Sequence, residues 1–158
     1  MIQVPNTLKM RFGGGSRLGA IDPSALAKAE AALKSLSGQF GQWLQDEVTK
    51  LEAARTAIKA EGMTKATSDQ LYLRAHDLKG LGTTYEFPLI SRLAASLCKL
   101  MDEPGTRIGA PVFLVDAHID AIRAAERDTI RDTNHPLGRM LAEELEGRVK
   151  KYLDALPA

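Results

Sequence analysis

From Asp22 onward, apolar residues recur every three or four positions, the period of a helix buried along one side. In the first such stretch they are Leu26, Leu33, Leu36, Phe40, Trp43, Leu44, Val48, Leu51 and Ile58. Asp22 is placed to cap this helix, and Pro23 to fill its first position, where a missing N–H costs nothing. Ser37 and Gly38 predict a kink or a break into two helices, and Glu61-Gly62 the end. A second helix is expected from the capping candidates Thr67 and Ser68 to about Thr84. A third should run from Pro88 to about Asp102, before the Pro104-Gly105 break, and a fourth from about Pro111 to Asp132. After the interruption Thr133-Asn134-His135-Pro136, Leu137 to Leu156 forms a last amphipathic helix. No run alternates in the manner of a strand. Antiparallel helices joined by short connections imply an all-α, up-and-down bundle.

Residues 1–20 break this pattern. They are polar, basic and glycine-rich, with Gly13, Gly14, Gly15 and Gly19 close together, and read as a flexible arm ahead of a helical domain over 21–158. Gly13-Gly14-Gly15-Ser16-Arg17 lacks the Lys-Ser/Thr ending of a phosphate-cradling loop.

The composition narrows the class. With 21 Lys plus Arg against 20 Asp plus Glu, the net charge of +1 gives no electrostatic case for nucleic acid or an acidic membrane surface. No stretch approaches a bilayer-spanning run, and the N-terminus has no apolar segment long enough for a secretion signal. The single cysteine, Cys98, suits a reducing compartment, so a cytoplasmic protein is expected.

The chemistry concentrates in residues 71–100. On a wheel of about 100° per residue, Leu71, Ala75, Leu78, Gly82 and Tyr85 share one narrow stripe, the expected buried seam. His76 lies roughly 140° away, beside Tyr72, Lys79, Gly80 and Thr83, and should face solvent. A lone helical histidine is usually a surface residue without a task; its neighbours argue otherwise. Lys79 is on the same side one turn along, where side chains three apart meet. Gly80 and Gly82 each cost about 1 kcal/mol relative to alanine inside a helix. The buried seam accounts for Gly82, but Gly80 faces outward, and an incoming partner explains it better. Leu73 would be an odd outward apolar residue unless it belongs to a docking patch with Tyr72 and Gly80. Neutral imidazole, with an ordinary pKa of about 6.5, is a competent nucleophile near neutral pH.

The run Ala75-His76-Asp77-Leu78-Lys79-Gly80 resembles the phosphoacceptor motif of histidine-containing phosphotransfer domains: histidine, lysine three later, glycine four later. The resemblance continues through Leu93 and Leu97. It implies an antiparallel four-helix bundle with an additional N- or C-terminal helix. His76 would accept a phosphoryl group from a receiver-domain aspartate and pass it to another receiver. Lys79 would stabilise the phosphate, and Gly80 would give the receiver clearance. Tyr72, Leu73, Gly80, Thr83 and Cys98 would face the partner. The implied partners are response-regulator receiver domains and a hybrid histidine kinase. The chain would act as a monomeric phosphocarrier without ATP-dependent activity. No metal or cofactor of its own is expected, the Mg²⁺ coming with the receiver.

Two positions depart from the family's pattern. Glu86 stands ten residues after His76, where many members close the helix with glycine, so the turn into the third helix should be built differently. Cys98 stands twenty-two residues after it, where members often have a Gln or Glu that bonds the imidazole. A thiol is a weak donor and acceptor, and Cys98 reads equally as ring-orienting or as packing. Two rival readings remain. One is a degenerate histidine-kinase dimerisation domain, favoured by Asp77 but opposed by Leu81 where kinases carry proline. The other is a helical interaction module without phosphate chemistry. His118, beside Val115, Ile119 and Ile122, reads as a packed or rim residue, and His135 as a cap or a solvated turn residue.

Overall fold

The computed structural model describes residues 22–157, and the arm expected over residues 1–20 lies outside them. Among the described residues the chain is all-α, with no strand. The helices are α1 (Pro23–Glu61), α2 (Lys65–Thr84), α3 (Pro88–Leu100), α4 (Val112–Arg127) and α5 (Pro136–Asp154), with a 3-10 turn at Arg107–Gly109. No helix among them is long and apolar enough to cross a membrane.

By its contacts the chain divides into two units, Met1–Gln39 and Phe40–Ala158. Helix α1 begins as its sequence predicts: the Asp22 carboxylate accepts the Ser24 N–H at 3.2 Å, satisfying a donor that helix geometry leaves free. It continues through Ser37 and Gly38 without the expected break. Its apolar positions divide sharply. Leu26, Leu33 and Leu36 in the first unit are exposed, as is Trp43 in the second, whereas Leu44, Val48, Leu51 and Ile58 are buried. Periodicity marks both groups alike and cannot tell which will find neighbours.

Within the second unit, α3 is the central element. It touches α2, α4 and α5, and eight of its thirteen residues are buried, which leaves it almost no free face. Helix α1 is tied to α4 by ion pairs: the Arg55 guanidinium binds Glu52 on its own helix and reaches Asp120 at 2.8 Å and Asp116 at 3.4 Å.

Several boundaries differ from expectation for identifiable reasons. Helix α2 starts at Lys65, because Thr64 rather than Thr67 or Ser68 is its cap. The Thr64 hydroxyl accepts the Thr67 N–H at 3.1 Å, and the Thr67 hydroxyl accepts the Thr64 N–H at 2.9 Å. This is a reciprocal capping box with Thr where Glu or Gln is usual, so it carries no familiar signature. Helix α3 stops at Leu100, two residues before the expected Asp102. Helix α4 stops at Arg127 rather than Asp132, because Thr129 turns to φ 54°. The Ile130 N–H then reaches back to the Ala125 carbonyl at 2.9 Å.

The same device closes α2. Glu86 has φ 69°; its N–H bonds the Thr83 carbonyl at 3.0 Å, and the Phe87 N–H bonds the Gly82 carbonyl at 2.7 Å. These two bonds define the Schellman closure, whose left-handed residue is commonly glycine. The expectation of a differently built turn is therefore corrected: Glu86 adopts the left-handed conformation that a glycine there would supply. Its ion pair with Arg131 is long, 3.8 Å, and exposed, too weak to be the reason.

Gly82 fixes how closely α2 and α3 approach. A Cβ there would lie 2.5 Å from the Ser91 hydroxyl oxygen and 2.7 Å from the Ser91 backbone nitrogen. Because one obstacle is backbone, Gly82→Ala should destabilise by about 1–3 kcal/mol. Glu86→Gly should instead stabilise by about 0.5–1 kcal/mol, by removing the left-handed strain of a side chain. Urea unfolding of both variants against the wild type measures the two effects.

Candidate functional site

The outward face of α2 carries the candidate site. Leu71, Ala75, Leu78 and Gly82 are buried and Tyr85 is half-buried, so the inward stripe is where the spacing puts it. His76, Lys79, Gly80 and Thr83 are all exposed on the other side. Leu73 is 48% exposed, left uncovered by the other helices. Among the described residues, neither His76 nor Lys79 has a hydrogen-bonded or ion-paired partner within the chain. Both therefore remain available to something outside it.

The two glycines of this helix have opposite surroundings. Gly82 is crowded, as described above. At Gly80, apart from its chain neighbours and its own helix backbone, no atom of the described residues lies within 4 Å of where a Cβ would sit. Among the described residues the packing thus gives no reason for glycine at position 80, although glycine there costs about 1 kcal/mol of helix stability. The open space begins one turn beyond the imidazole.

On the N-terminal side of His76 the surroundings are dense. Tyr72 is half-buried rather than a free docking residue. Its hydroxyl donates to the Asp102 carboxylate at 2.7 Å, and this bond pushes the Tyr72 hydroxyl above the ordinary phenol range. The Arg107 guanidinium carbon lies 3.9 Å from the centre of its ring. Arg107 is itself buried. It donates to the Met101 carbonyl at 2.7 Å, to the Asp102 carbonyl at 3.2 Å and to the Asp69 carboxylate at 3.0 Å. It thereby satisfies carbonyls at the end of α3 that the helix leaves free. Asp69, Asp102 and Arg107 do not stand out in the sequence. They lie near the polar start of α2 and in a Pro-Gly-marked loop, and no spacing rule joins positions 69, 72, 102 and 107.

Cys98 requires a correction. It is 4% exposed, so it cannot belong to a docking surface, and it makes no hydrogen bond to the imidazole. Position 98 falls on the side of α3 that packs inward, among Leu93, Ala94 and Leu97. Burial pushes its thiol up to about 11, with the nearby Lys79 ammonium opposing that shift. The side chain is packing.

The other histidines are structural. His135 caps α5, its Nδ1 accepting the Gly138 N–H at 3.4 Å. His118 is fully buried, with Nδ1 2.8 Å from the Leu114 carbonyl and Nε2 2.8 Å from the Ser96 hydroxyl. A carbonyl can only accept, so Nδ1 carries a proton; in the neutral ring, which burial favours, Nε2 then accepts from the Ser96 hydroxyl. Among the described residues, no three His, Cys, Asp or Glu side chains are grouped to hold a metal ion.

Comparison with protein families, curated proteins and solved structures finds no match to this chain.

Burial holds the His118 imidazole below its ordinary value of about 6.5. Below that value the unfolded chain takes up a proton that the folded chain refuses. Stability is thus complete above it and falls as pH drops toward the folded-state value. Urea midpoints should decrease between about pH 7.5 and about pH 5.5, with a smaller decrease in His118→Gln.

Proposed function

We propose that this chain is a phosphocarrier in which His76 accepts a phosphoryl group from the aspartyl phosphate of one receiver domain and donates it to another. One observation carries the reading. An exposed imidazole, with no hydrogen-bond partner among the described residues, stands on α2 one turn before a glycine whose Cβ would meet no other described part of the chain within 4 Å. A lone surface histidine needs no such clearance; one approached by another protein's active site does.

The chemistry requires little of the chain. The imidazole Nε2 lone pair forms the new bond to phosphorus while the phosphorus–oxygen bond to the receiver's aspartate breaks, releasing the carboxylate. The onward step is the reverse with a second receiver. Such transfer is chiefly positioning and charge stabilisation. Lys79, one turn along, attracts the transferring group. Its static contribution at an exposed site is at most about 1 kcal/mol, and it grows when the partner excludes water. The receiver supplies Mg²⁺ and the acidic pocket, so no cofactor of the chain's own enters the scheme. A hybrid histidine kinase fits as the upstream source, and the cytoplasm as the place of action.

The fold that suits this role is an antiparallel up-and-down four-helix bundle with one additional helix at a terminus, working as a monomer. The short link of Tyr85, Glu86 and Phe87 between α2 and α3 supports antiparallel neighbours. A kinase-like dimerisation module is the competing reading. Asp77 beside His76 favours it in the sequence, and the exposure of Leu26, Leu33 and Leu36 at helical spacing adds to that. A solution mass of two chains would favour it.

Incubation with a phosphorylated receiver should place an acid-labile phosphoryl group on the wild type and none on His76→Gln. Label persisting on that variant removes His76 from the scheme. Gly80→Leu should leave the fold intact, because the space is open, yet slow transfer from the receiver by about tenfold or more through lost close approach. Equal rates for Gly80→Leu and wild type would show that the clearance has no role.

A further inference from the structure

Helical side chains lean toward the N-terminus of their own helix, so the ring at position 76 lies over the turn that holds Tyr72. The two ring centres are 6.2 Å apart and their planes tilt by 39°, within the contact range of paired rings. An ordinary surface tyrosine would be a soft neighbour, free to turn about two torsions. This one is held at its tip by Asp102 and covered by Arg107. Arg107 is in turn fixed by bonds to Met101, Asp102 and Asp69, and the second Asp69 oxygen is bound by Lys65 at 2.7 Å. The parts come from α2, from the link after α3 and from the 3-10 turn, so the tyrosine is anchored to three elements at once.

Among the described residues no hydrogen bond orients the imidazole. Cys98 is buried and does not bond it, and among the described residues His76 has no hydrogen-bond partner. The ring therefore has a rigid wall on its N-terminal side and open space toward Gly80 on the other. We propose that Tyr72, clamped by Arg107 and Asp102, sets the orientation of the His76 imidazole for phosphoryl acceptance. Tyr72, Asp102 and Arg107 are then positioning residues. This rests on the reading of His76 as the acceptor. A ring bounded on one side spends more of its time aimed at the open side, where the donor arrives. The clamp costs the partner nothing, because its polar groups are already satisfied within the chain.

The test uses the full chain and phosphoramidate, a phosphoryl donor that needs no docking surface. An imidazole nitrogen forms the bond to phosphorus, the donor's phosphorus–nitrogen bond breaks, and that already protonated nitrogen departs as ammonia. Wild type, Tyr72→Phe and Tyr72→Leu are compared by labelling rate and by the ¹⁵N and ring-proton spectra of His76. The wild type should show through-space cross-peaks between the His76 and Tyr72 rings. Tyr72→Leu should lose about tenfold in labelling rate through misplacement of the nucleophile, and its His76 ring nitrogens should move toward free-imidazole shifts. Tyr72→Phe, which keeps the ring but loses the bond to Asp102, should fall between the two. Absence of ring cross-peaks in the wild type overturns the clamp, and that measurement needs no variant to fold. Unchanged rate and spectra in Tyr72→Leu overturn it as well. A wild type that no phosphoryl donor labels sinks the acceptor reading instead, while the cross-peaks still decide whether the ring is held.

Discussion

The contact between α2 and α3 at Gly82 is the constraint from which the rest follows. With no Cβ at that position, the Ser91 backbone and hydroxyl come closer to α2 than any other residue would allow. The Gly82 carbonyl is then free to accept the Phe87 N–H, so the same residue that admits α3 also anchors the turn leading into it. Once that edge of α2 is committed, Leu71, Ala75 and Leu78 are drawn inward with it. The opposite edge, bearing His76, Lys79 and Gly80, is left to solvent. One missing methyl group thus commits one side of the helix to packing and leaves the other exposed.

The polar groups divide in the same way. Arg55 and Arg107 are both buried guanidinium groups with every near partner supplied by the chain. Breaking either would leave a charge stranded in a poorly hydrated place, which is why such groups hold elements in register even when their net contribution to stability is modest. His118 follows the same rule as a neutral ring bonded at both nitrogens. His76 and Lys79 are the contrast. They sit on a well-packed helix, yet among the described residues their side chains have no hydrogen-bonded or ion-paired partner, the opposite of the two buried arginines.

Much of this was legible in the sequence, and the failures are instructive. The inward stripe of α2 and the outward placement of His76 follow from the 3.6-residue period alone, because a long helix with a strong seam leaves little freedom. The crowding at Gly82 and the openness at Gly80 follow from the same wheel. Helix ends were less readable. Glu86 and Thr129 occupy left-handed positions that glycine normally marks, and Thr67 completes a capping box usually written with Glu or Gln. In each case the backbone made the ordinary turn with an unusual residue, and rules keyed to residue identity passed over it. The arginine at 107 was invisible for another reason: its partners are far apart in the chain and are joined only by the fold. The exposed leucines of α1 show the remaining gap, since spacing reports amphipathicity but not whether a neighbour exists.

The buried state of Cys98 has a practical side. The chain has a single cysteine; it is 4% exposed, and its thiol is pushed up to about 11. Since only the thiolate attacks electrophiles and oxidants, the native sulfur is nearly silent at neutral pH. A cysteine introduced on the surface would therefore be the sole fast-reacting thiol in the molecule. Fluorophores, spin labels or crosslinkers can be attached at chosen points along α2 without first removing the residue that nature placed in the core.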